Sequence, residues 1–229
     1  MSTLSSDDPA DRASAAQNLL TALYRAVQAG DVATVRQLLE QNPSLMSASG
    51  PSGESLALTA MYAGHSRLAD ELGANLSPLP IFEAVAFEET ERLAGLIQAE
   101  PGLITSWSPD GWQPLHLAAM FGRAEAARAL LDADAPVAEK SVNQAARTPL
   151  GLAASGGHAE LVWILVASDA PLDVADAQGR TALMLAARAG DAESVRALLA
   201  AGAERDLIDT DGLSAAELAV TPDISAMLR

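Results

Sequence analysis

A short motif returns along this chain at nearly constant spacing, and a chain of such returns stacks copies of one local unit instead of closing around a single core. Gly111-Trp112-Gln113-Pro114-Leu115-His116-Leu117-Ala118-Ala119 leads to Gly122. Ala146-Arg147-Thr148-Pro149-Leu150-Gly151-Leu152-Ala153-Ala154 leads to Gly157, and Gly179-Arg180-Thr181-Ala182-Leu183-Met184-Leu185-Ala186-Ala187 leads to Gly190. The anchors Leu115, Leu150 and Leu183 stand 35 and 33 residues apart. Each copy is followed by a second helix with apolar residues three and four apart, such as Leu161, Ile164 and Leu165. Thr148-Pro149 reads as a helix start, because a threonine hydroxyl accepts free N–H groups and proline suits the first helical position. One helix pair cannot cover its own apolar face, so the core forms between units.

The three motifs resemble the ankyrin repeat, whose signature is T-P-L-H-x-A at a period near 33. The resemblance implies an all-α solenoid of stacked helix-turn-helix units with β-turn fingers, one domain over residues 1–229. Its approximate repeats are 9–46, 47–76, 77–104, 105–138, 139–172, 173–206 and 207–229, the terminal ones degenerate. Upstream, Gly53-Glu54-Ser55 leads to Gly64-His65, while Glu88 and Glu89 replace the expected Gly-His turn. Asp8 and Pro9 are expected to open the first helix, and Thr221-Pro222-Asp223 the last. Asp134 and Asp169 stand where many such repeats carry a glycine, and aspartate tolerates a left-handed backbone there. Ala146 replaces a finger glycine.

One interval is short. Ala57 and Ile81 are 24 residues apart, and Leu76-Ser77-Pro78-Leu79-Pro80 stands where a finger belongs. The first four units align as two pairs at a constant offset of 58: Pro43 with Pro101, Leu45 with Leu103, Gly53 with Gly111, Gly64 with Gly122. A duplicated two-repeat unit predicts one missing finger, between the second and third repeats.

The formal charge is −16 and no Lys/Arg cluster interrupts it. Such a chain repels phosphate backbones and anionic lipids, so nucleic acid and membrane are not expected partners. The stretch Met1–Arg12 carries three aspartates and no apolar run, which predicts no signal peptide, and no segment has the length of a membrane span. The cytoplasm is the default expectation. With no cysteine there is no disulfide or thiolate ligand.

Nothing in the sequence gathers a catalytic site, and no metal or cofactor is expected. The three histidines lie in different repeats and have repeat roles; His116 occupies the signature's histidine, which implies bonds to finger backbone. Asp31, Glu89, Glu125, Glu160 and Glu193 fall in or near helix first turns, where the macrodipole favours them. Ser155 precedes His158 but lacks the strand and glycine pattern of a nucleophile elbow.

The resemblance implies contact through finger tips and the exposed side of first helices. Finger candidates are Glu54, Trp112, Arg147, Arg180 and Leu213. First-helix candidates are Tyr62, Ala86, Phe87, Met120, Phe121, Ser155, Arg188 and Ala189. Aromatics and arginines of this kind anchor interfaces; the alternative is that some aromatics fill core. The expected function is a protein-interaction module, monomeric or weakly dimeric, taking a protein surface or extended peptide in a concave groove. An inhibitor or immunity-type regulator with an acidic contact surface is the alternative, and an enzyme with a cleft near the missing finger is a third reading. Trp163 breaks the repeat pattern, sharing a second-helix site with Arg36, Arg128 and Arg196; it is either a partly exposed residue lying over its neighbouring helices or the mark of a second contact surface.

Overall fold

The computed structural model describes residues 9–50, 53–76 and 80–229, with side chains from residue 14 onward. The described residues form fourteen α-helices and no strand; only the isolated bridges Ser49–Ser55 and Ile208–Ser214 have sheet pairing. None of these helices is long and apolar enough to cross a membrane. The chain divides between residues 79 and 80 into two compact units. The proposed missing finger falls largely on residues 77–79, and Asp8 precedes residue 9; both lie outside the described residues.

The first unit holds α1 (Pro9–Ala29), α2 (Val32–Gln41), α3 (Leu56–Tyr62) and α4 (Ser66–Gly73). Leu23 and Val27 of α1 are fully buried, and Leu19 and Leu20 are half-buried. Asp31 caps α2 by accepting from the Thr34 N–H, and Ser55 caps α3 by accepting from the Leu58 N–H.

The second unit holds α5 (Ile81–Ala86), α6 (Thr90–Ala99), α7 (Pro114–Phe121), α8 (Ala124–Asp132), α9 (Pro149–Gly156), α10 (Ala159–Ala167), α11 (Ala182–Ala189), α12 (Ala192–Ala200), α13 (Ala215–Leu218) and α14 (Pro222–Leu228). First helices stack on first helices in the order α5, α7, α9, α11, α13, and second helices in the order α6, α8, α10, α12, α14. Leu115, Leu117, Leu150, Leu183, Met184 and Leu198 are buried between them, and Ala118-Ala119, Ala153-Ala154 and Ala186-Ala187 have no exposed surface. Small side chains at these sites let neighbouring helices approach, and that apolar burial holds the stack together.

The offset of 58 reappears in the local structure. Residues 32–41 form α2 and 90–99 form α6; a 3-10 turn at Pro43–Ser47 is matched by one at Pro101–Thr105; α3 and α4 begin 58 residues before α7 and α8.

In the second unit each finger is closed by a buried polar side chain. Ser108 Oγ accepts from the Trp112 N–H at 2.9 Å and Ser141 Oγ from the Arg147 N–H at 3.0 Å. Asp176 Oδ1 accepts from the Gln178 and Arg180 N–H groups, and Asp209 Oδ1 from those of Asp211 and Leu213. The fingers also bond to one another: Val142 N–H to Gly111 O, Ala177 N–H to Ala145 O, Thr210 N–H to Gln178 O. Gly111 and Gly179 are required twice over. Both have positive φ, 84° and 75°, and a Cβ on either would come within 3.0 Å of a backbone nitrogen of the next finger.

Ala146 keeps the left-handed backbone of the glycine it replaces, at φ 47°, as do Asp134 at 63°, Asp169 at 59° and Glu88 at 58°. An L-alanine there is strained by about 1–2 kcal/mol. Part of this is offset because glycine loses more chain entropy on folding. Ala146→Gly is therefore expected to stabilise the protein by about 0.5–1 kcal/mol in urea melts. A loss of stability would show the alanine to be unstrained.

Candidate functional site

The fingers and first helices of the second unit place one stretch of aromatic residues and one of arginines. Trp112 ends the first finger and leads into α7, with its ring 5.9 Å from that of His116; Trp107 stands 6.0 Å from the same ring. His116 is fully buried. Its Nδ1 accepts from the Gln113 N–H at 3.2 Å, and Nε2 lies 3.1 Å from both Glu139 O and Arg147 O. That arrangement puts the proton on Nε2 and leaves the ring neutral. Burial lowers its pKa from 6.5 to about 4, against the pull of the two carbonyls. Trp112 is half-buried over this histidine, and Met120 and Phe121 are half-buried at the far end of α7, about 12 Å along an eight-residue helix. Phe87 is half-buried after α5.

Trp107 was not among the residues singled out from the sequence. It lies five residues before Trp112, outside the repeat signature, and is 38% exposed. Ala86 has no exposed surface and offers only its carbonyl, which accepts from Arg123 Nε at 2.8 Å, so it is no contact residue.

The arginines come together. Arg147 and Arg180 from two successive fingers, Ser155 from α9, and Leu185, Arg188 and Ala189 from α11 line one open recess of about 260 Å³. Beneath it lies Asp176, whose side chain is 2% exposed. Arg180 donates to Asp176 Oδ2 through Nε at 3.1 Å and a terminal nitrogen at 2.9 Å, and to Gln178 Oε1 at 2.7 Å. Arg147 Nε approaches Oδ2 only to 3.5 Å and makes no hydrogen bond. Burial raises the Asp176 pKa, but bonds from Arg180 and the Arg180 and Gln178 N–H groups outweigh it, so the carboxyl lies below its ordinary range. Arg188 is exposed in the last turn of α11. Ser155 Oγ donates to Leu152 O at 3.0 Å. Asp176 was not named from the sequence either; its signal is the Asp-x-x-Gly-Arg run of the finger.

Glu54 and Tyr62 line a separate recess of the first unit with Gln28, Thr59 and Ala63. Trp163 projects from α10 with 48% of its surface exposed, and Leu213 is 38% exposed at the last finger.

The remaining histidines serve the stacking of repeats. His65 Nε2 is 3.0 Å from Gln28 O and His158 Nε2 is 3.2 Å from Met120 O, each reaching back one repeat. Arg123 makes the equivalent bond to Ala86 O. Among the described residues no group of three or more His, Asp or Glu side chains gathers at metal-binding distance.

Comparison with curated proteins finds no match. A family model of three ankyrin repeats matches residues 81–176 and again 136–209, more than half of the chain. Repeats of this family are generally protein–protein interaction modules. With its stacked helix pairs, hydrogen-bonded fingers and signature histidine, the chain belongs to the ankyrin-repeat family.

Proposed function

We propose that this protein is an interaction module that takes a protein surface or extended peptide along the fingers and first helices of its second unit. The supporting observation is the pairing on that side of half-exposed aromatics, Trp112, Met120 and Phe121, with the recess formed by Arg147, Ser155, Arg180 and Arg188. Large aromatics and arginines held on rigid elements lose little freedom when a partner covers them, which is why they dominate interface energies. Phe87 extends this surface, while Glu54 and Tyr62 form a contact point of the first unit. An inhibitor or immunity-type regulator would use the acidic faces instead, and binding to a basic enzyme lost steeply with salt would favour it. The arginine recess favours the groove. The test is binding of a partner captured from native lysate, compared between the wild type and the Trp112→Ala/Phe121→Ala variant.

Trp163 supports a second contact surface, for a weak self-association or a further partner. It projects from α10, which packs between α8 and α12, and about half of the indole remains in water. A large exposed aromatic gains by being covered. Trp163→Arg is expected to lower self-association in sedimentation velocity while changing stability by no more than about 0.5 kcal/mol. A large fall in stability would make this tryptophan a structural residue.

A further inference from the structure

We propose that the recess among Arg147, Arg180 and Arg188 receives carboxylate side chains of an acidic peptide segment, which deepens the groove reading above and rests on it. Arg147 and Arg180 share one carboxylate, Asp176, and Arg188 lines the same recess, so three guanidinium groups meet one acidic side chain there in a chain of net charge −16. The inner carboxylate already shows what these side chains hold: Arg180 Nε and a terminal nitrogen converge on Asp176 Oδ2, charge-assisted bonds of the kind a guanidinium makes to a carboxylate. Arg180 is committed to that grip and is only 13% exposed. Arg147 makes no hydrogen bond to Asp176 and remains 25% exposed, and Arg188 is exposed and forms no ion pair with an acidic side chain among the described residues. These two are the groups left to meet a ligand, with Arg180 and Asp176 as the rigid floor that positions them.

The charge of the rest of the chain decides what kind of anion enters. Screening confines each charge to about 8 Å at physiological salt, so the recess acts on a group already at contact, while the acidic exterior opposes a polyanion at every other point. One or two isolated carboxylates on an otherwise neutral peptide satisfy both conditions. Glutamates two residues apart in an extended chain stand about 7 Å apart on one side, so both can enter the same recess.

The test uses the full chain with 15N labelling and reads the arginine Nε–Hε signals at constant ionic strength. The probe is acetyl-Gly-Glu-Gly-Glu-Gly-amide, with the Gln twin and a phosphoserine twin as comparisons. The Glu peptide is expected to give saturable shifts at Arg147, Arg180 and Arg188, and the Gln peptide none. Arg188→Gln should weaken Glu-peptide binding about threefold, the worth of one exposed ion pair, with no change in melting temperature. Adding Arg147→Gln should bring the loss to about tenfold. Equal shifts at Arg36, Arg128 and Arg196, or equal binding of the Gln peptide, would overturn the assignment. Phosphoserine binding more than about tenfold tighter than glutamate would overturn carboxylate as the ligand chemistry. The Trp112→Ala/Phe121→Ala variant separates the two readings. If it keeps its partner, the groove reading fails whatever the peptide does. If it loses its partner but the titration is flat, only the carboxylate assignment falls.

Discussion

Replacing Trp112 and Phe121 together by alanine is expected to weaken partner binding by more than about 2 kcal/mol, a loss of thirtyfold or more, with helix content unchanged. Both rings are half-buried and stand at opposite ends of α7, so each presents a face that a partner can cover without disturbing the stack beneath. The core under them is Leu115, Leu117, Ala118 and Ala119, which the substitutions leave in place. Calorimetric titration of the captured partner and circular dichroism of the variant provide the two readouts. Unchanged affinity would remove the groove from consideration. Unfolding of the variant would instead make these rings core, and Trp112, which rests on the buried His116 ring, is the residue that would carry that outcome.

The second large effect belongs to His116. Truncation to alanine is expected to cost about 3–5 kcal/mol, because it opens a hole in the first-helix layer, takes the histidine partner from the Gln113 N–H and the Glu139 carbonyl, and leaves the Arg147 carbonyl with only the Ser141 N–H. The same burial makes the wild type acid-sensitive. The unfolded chain takes up this proton near pH 6.5 and the folded chain only near pH 4. Between those values the unfolded state holds more protons, so stability is fully present above 6.5 and falls as the pH drops toward 4, below which this group takes no more. The total is up to about 3 kcal/mol. Acidification also relieves repulsion in a chain of net charge −16, so the informative quantity is the difference between wild type and His116→Gln. Urea melts at pH 7, 5.5 and 4.5 should show the wild type losing stability faster than the variant. Parallel pH profiles would mean that His116 is free to protonate in place. The proton has nowhere to go in the folded chain, since Nδ1 already accepts the Gln113 N–H, so a protonated ring would set two donors against each other.

Local chemistry was legible in the sequence wherever a residue acts within its own repeat. Thr148 caps the helix it was expected to start, Asp31 sits at a helix start as expected and caps it, Thr221 opens the last helix, and the histidine of the signature bonds finger backbone. The offset of 58 read from prolines, leucines and glycines is met in the structure by helices and 3-10 turns that begin at matching positions, because caps and turns depend on neighbours a few residues away. The 35-residue interval between Leu115 and Leu150 was visible too, and its cause is the longer finger from Ser141 to Arg147.

What tertiary structure decided are the relations between repeats. Arg147, Arg180 and Arg188 are 33 and 8 residues apart in sequence, and only the stacking of α9 on α11, with finger bonded to finger, brings them around one recess over Asp176. Pattern alone could not tell Ala86, sealed in the layer, from Phe87 beside it, nor show that Trp107 shares the His116 ring with Trp112. A helix repeat specifies which residues form its faces through bonds of three and four residues' reach. Which of those faces meets water is set by the neighbouring repeat, through apolar burial that has no sequence-local signature.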